Sequence, residues 1–139
     1  MSDIREITAT SAKLAELVRP LAPPSGIVFV LDTASVGASW STSVEDGSRS
    51  LLQHLGTELA KDTTDPIVVV LGTGTTATGT GVTSAALAAA ARGTIGTAAL
   101  EAAPTGRRVN TVLVNDTSTP RDIRAVLTYL VDEDGAGFT

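Results

Sequence analysis

Two short runs with no polar residue in them, Ile27-Val28-Phe29-Val30-Leu31 and Ile67-Val68-Val69-Val70-Leu71, constrain this chain more than any other feature. A strand wet on one side alternates apolar and polar side chains. A strand apolar on both sides is covered on both, which is the situation inside a parallel sheet flanked by helices. A third strand is expected over Val109 to Val114. The segments between carry helical periodicity. Ser11 to Leu21 places Leu14, Leu17, Val18 and Leu21 on one face, and prolines at 20, 23 and 24 end it. Asp32 to Thr42 is small and polar, hence a loop. Val44 to Lys61 follows as a helix with Leu51, Leu52, Leu55 and Leu59 as its apolar stripe, and Asp62 to Pro66 reads as a turn.

Thr83 to Ala103 is a third helix built almost wholly of small residues, stopped by Pro104-Thr105-Gly106. Thr119 suits an N-cap and Pro120 the first helical position of a last helix ending near Val131. This alternation predicts right-handed crossovers in one Rossmann-like three-layer α/β/α domain spanning residues 1–139, with a small parallel sheet. Met1 to Thr10 leaves open a further edge strand through Ile4 to Thr8. A three-stranded sheet would have two apolar edges, which must be covered or joined to another chain. An offset of 43 residues lays Glu58 on Glu101 and Val69-Val70-Leu71 on Val112-Leu113-Val114. Any two helix–turn–strand units share as much, and we read no repeat.

Composition narrows the function classes. A net charge of -5 with 3% aromatics opposes phosphate attraction and base stacking, so no nucleic-acid partner is expected. No cysteine is present, which removes disulfide, thiol and thiolate chemistry. The start, Met1 to Glu6, lacks the apolar core of a secretory signal. The longest low-charge stretch, Val82 to Leu100, carries Arg92 at its centre and is poor in the large apolar residues a membrane span needs. A cytoplasmic protein without membrane association is the expectation.

The candidate chemical groups are few. Gly72 to Gly81, GTGTTATGTG, lies between a strand and a helix, where glycines let backbone amides reach a phosphate. The acidic residue that would hold a ribose should lie about 20 residues on; Asp116 lies 35 beyond Gly81. A flexible loop is the simpler reading. His54 has no second histidine for a metal, and Asp132-Glu133-Asp134 diverge too much to share a cation. Glu58 and Glu101 are isolated, and Tyr129 sits among apolar neighbours as a packing residue.

From Ser84 onward the chain resembles the second half of the short-chain dehydrogenase/reductases. Gly93, Leu100-Glu101, Ala103-Pro104, Gly106 and Arg108-Val109-Asn110 fall at that family's spacing, as do Asp122-Ile123, Val126 to Leu130, Asp134 and Ala136 to Thr139. The resemblance covers about 55 residues. It implies a catalytic tyrosine at Ser84 and a lysine at Ala88, and neither is present. A serine hydroxyl is a far weaker acid than a phenol, and alanine offers neither charge nor donor. Ser35, Ser39 and Ser41 lie where the family keeps a catalytic serine, with nothing there to orient for. Full family members are considerably longer, and their dinucleotide site lies in a first half to which nothing before Ile27 corresponds.

We therefore assign no catalytic, cofactor-binding or metal-ligating residue and no cofactor. The resemblance implies a homodimer, or a hetero-oligomer with an active reductase, through the small-residue helix, which forms much of that family's dimer interface. The alternative is a nucleotide (NAD(P))-binding, oxidoreductase-like protein of altered chemistry using the Gly72–Gly81 loop.

Overall fold

The computed structural model describes residues 3–6, 13–21, 26–32, 40–72, 81–115 and 118–131. Four strands, β1 (Asp3–Glu6), β2 (Ile27–Asp32), β3 (Ile67–Gly72) and β4 (Val109–Val114), form one sheet in chain order. Every neighbouring pair is parallel, with Ile27 beside Ile67 and Ile67 beside Val109. Helix α1 (Lys13–Val18) continues into a 3-10 turn, Arg19–Leu21; α2 spans Trp40–Leu59, α3 Gly81–Ala102 and α4 Pro120–Val131. The architecture is the Rossmann-like α/β/α sandwich that the apolar strands require.

The two faces of the sheet hold separate cores. Val28, Val30, Val68, Val70, Val112 and Val114 point to α1 and α4, where Leu14, Val18, Ile123, Leu127 and Leu130 meet them. Phe29, Leu31, Ile67, Val69, Leu71 and Val109 point the other way, to Leu51 and Leu55 of α2 and Ala91, Ile95, Ala98 and Ala102 of α3. All six residues of β3 are buried, as expected of a strand covered on both sides.

Several expectations change in detail. The strand left open at the N-terminus exists as β1 and makes the sheet four-stranded. Three of its four residues, Asp3, Arg5 and Glu6, are charged, so the sheet does not have two apolar edges. Strand order equals chain order, so every crossover steps the same way across the sheet. The first passes over the α1/α4 face and the next two over the α2/α3 face, so the first has the opposite hand to the others. Uniformly right-handed crossovers are therefore not realised. Helix α2 begins at Trp40, inside the stretch expected as loop. Leu17 and Leu52, read as core-facing, are exposed, because each flanks its helix's buried stripe rather than lying within it.

The element ends follow local chemistry. Thr119 Oγ1 accepts from Asp122 N at 3.2 Å and caps α4, with Pro120 at the first position. Gly106, at φ 77°, closes the 3-10 turn Ala103–Thr105 after α3 in the left-handed conformation that glycine adopts without strain.

Candidate functional site

Ser84 and Ala88, the positions at which the resemblance implied a tyrosine and a lysine, fall on one helix. Ser84 lies in the first turn of α3 and Ala88, half-buried, one turn later. Tyr129 lies far from both positions. It belongs to α4, across the sheet from α3, and it is exposed rather than packed as its neighbours suggested. The loop glycines and threonines at 73–80, together with Ser35, Ser39, Asp116 and Asp132 to Asp134, lie outside the described residues. Ser41 stands in the first turn of α2, not in a loop.

His54 is a packing residue. Its ring meets the Phe29 ring edge-on at 5.9 Å, and its Nδ1 lies 2.7 Å from Ser50 O. Among the described residues, no three His, Cys, Asp or Glu side chains come together as a metal site would require.

The polar cluster with the tightest geometry escaped the sequence reading. Glu58, 1% exposed, faces Arg107, 3% exposed, across 49 residues of chain. Arg107 donates Nη2 to Glu58 Oε1 at 2.7 Å, Nη1 to Glu58 O at 2.6 Å and Nε to Asp65 O at 2.7 Å. Lys61 Nζ adds a 3.0 Å pair to Glu58 Oε2. One guanidinium thus ties the end of α2, the turn before β3 and the start of β4 together. Each charge is matched by directed hydrogen bonds, as burial demands. The cluster sits at the amino-terminal foot of the strands, whereas open α/β sheets receive ligands at the carboxyl ends. Its geometry is that of a clamp.

The surface feature is a groove of about 540 Å³ along the outer side of α2 and α3. Leu52, Gly56 and Leu59 form one wall; Ala90, Gly93, Thr94 and Thr97 form the other. The two helices touch closely at their upper ends, where a Cβ on Gly47 would lie 2.8 Å from Leu87 Cδ1. On the exposed walls of the groove, a Cβ on Gly56 or Gly93 would meet nothing within 4 Å. The groove is mixed in character: Leu52, 61% accessible, lies on one wall, and exposed Thr97 and Glu101 lie on the other, with exposed Leu100 next to Glu101 in the chain. Sequence periodicity had turned Leu52 inward, and Gly56 belonged to no motif. The signal that could have found this site is the spacing Ala90, Thr94, Thr97, a row of small residues on α3 flanking its core positions Ala91, Ile95 and Ala98, with Gly93 beside it. Among the described residues, no helix is long and apolar enough to cross a membrane. The chain matches no protein-family model and no curated protein sequence.

Proposed function

We propose that this chain is a non-catalytic relative of the short-chain reductases that works by association. The α2–α3 groove receives the matching helices of a second copy or of an intact reductase. The observation that carries this reading is the pair of groove glycines at 56 and 93, one on each wall, each with open space where its Cβ would stand. Glycine inside a helix costs about 1 kcal/mol against alanine. Gly47 has a reason inside the chain, because Leu87 occupies the space a Cβ would need. Gly56 and Gly93 meet no such neighbour, and what glycine offers at such a place is the close approach of another backbone. Exposed Leu52 beside them gives the approaching surface apolar area to bury. The Ser84 and Ala88 positions support a silent role, since neither can hold a proton in flight as a phenol–lysine pair does.

The test is native mass by light scattering, for the chain alone and mixed with an intact short-chain reductase. A Cβ at Gly93 meets nothing within 4 Å, and the rest of the leucine in Gly93→Leu would occupy the groove, so the substitution should lower the assembled mass while leaving the helical signal intact. A wild-type chain that stays single in both settings ends this reading. Saturable binding of NAD(H) or NADP(H) by the isolated chain would redirect it to the nucleotide-binding class.

A further inference from the structure

The sheet ends in two unlike edges, and the β4 edge is built for pairing. Ile67 N donates to Arg108 O at 2.9 Å, which fixes the ladder. In a parallel pair, Ile67, Val69 and Leu71 then bond to residues 108, 110, 112 and 114 of β4's side of the ladder. The amides and carbonyls of Val109, Thr111 and Leu113 consequently point away from the sheet, and no described strand lies beyond them. None of the usual guards is present: β4 reads Val-Asn-Thr-Val-Leu-Val, with no charge and no proline.

The cover over this strand is half complete. On the α2/α3 face, α3 shields the foot of β4, leaving Val109 3% exposed, but it does not reach Leu113, which is 45% exposed. On the other face, Arg124 Nη2 approaches Pro20 O at 3.4 Å and so marks the side of α4 turned toward β1. Asp122 and exposed Val126 lie on the opposite side of that helix, toward the β4 edge.

We propose that this edge is a second interface, independent of the α2–α3 groove, where two copies of the chain pair β4 with β4. The strands run antiparallel about a two-fold axis through Thr111, making one continuous sheet. This register sets Thr111 against Thr111 and Leu113 of each copy against Val109 of the other, each pair exchanging both backbone hydrogen bonds. The two-fold also carries the partner's α3 end over the half of β4 that the protomer's own α3 leaves bare. A foreign strand would supply the hydrogen bonds but not that cover. Charge agrees. Arg108 sits at the carboxyl end of α4, donating Nη1 to Leu130 O at 2.9 Å. The two α4 helices run antiparallel across the axis, so Asp122 at the start of one approaches the end of the other, where its Arg108 stands.

The experiment combines sedimentation equilibrium with residue-resolved amide exchange on the full chain. In the wild type, the Val109, Thr111 and Leu113 amides should be protected at high concentration and lose protection on dilution. Leu113→Lys should halve the assembled mass and free those three amides at every concentration. Asn110, Val112 and Val114 amides, bonded to β3, remain protected and report that the fold is intact; Val126→Lys is the second variant should Leu113→Lys fail that control. Gly93→Leu, which tests the groove, should leave the three edge amides protected, so the two interfaces fail separately. Fast exchange of these amides in the assembled wild type overturns the proposal. So does protection that persists in the single chain, which would place their cover within the protomer. Protection gained only with a different protein overturns the choice of a second copy.

Discussion

The two edges of the sheet differ by what their residues permit. β1 devotes three of four positions to charge, Asp3, Arg5 and Glu6, and β4 none of six. Both are parallel edge strands with one row of backbone groups facing outward. Charges on an edge make a second strand leave water at a cost that its hydrogen bonds do not recover, which is how edges are kept single. An edge with only valine, leucine, threonine and asparagine raises no such barrier. The contrast is one of composition: charge guards one edge of this small sheet, and the other carries no such guard.

The strongest way to break the comparison is to detach β4 from the sheet. Arg107 stands two residues before that strand and holds its foot to α2 through Glu58. Arg107→Ala leaves a buried carboxylate without its main cation and should cost about 3–5 kcal/mol, read as a shift in denaturant midpoint. Lys61→Ala removes the outer, half-exposed partner of the same carboxylate and should cost under about 1 kcal/mol. Equal losses from the two would mean that the clamp is not centred on Arg107.

A gentler change tests the other edge. Neutralising β1 with Asp3→Asn, Arg5→Gln and Glu6→Gln takes away its guards while leaving chain length and strand pattern alone. The expected result is new, concentration-dependent association in sedimentation, superimposed on whatever β4 already makes. If the neutral β1 stays as single as the charged one, charge is not what separates the edges.

These edges also mark where the sequence was readable and where it was not. The strands and the order of helices follow from runs such as Ile67 to Leu71, because burial on both faces leaves a local imprint. The α4 cap followed from Thr119-Pro120 for the same reason. The Glu58–Arg107 clamp did not: its partners are 49 residues apart, and only the sheet brings them together. Leu52 carries an inward periodicity yet faces out, because helix spacing alone does not say where one helix's cover stops. Gly47 of α2 and Gly93 of α3 look alike as letters, each a glycine inside a helix. Their surroundings differ by a buried leucine.

That difference yields the pair of smallest expected effects, and they should have opposite signs. Gly47→Ala places a methyl 2.8 Å from Cδ1 of fully buried Leu87, so that side chain must shift within the core. Overpacking of this kind costs about 1–3 kcal/mol, more than the gain in helix propensity restores. Gly93→Ala meets nothing within 4 Å and should raise the stability of the single chain by about 1 kcal/mol, measured by denaturation at low concentration. At high concentration the same methyl stands in the groove where another backbone is expected, so the stabilisation should shrink or reverse as assembly begins. A gain that is identical at both concentrations would mean that nothing approaches α3 at Gly93, leaving β4 as the one surface at which this chain meets another.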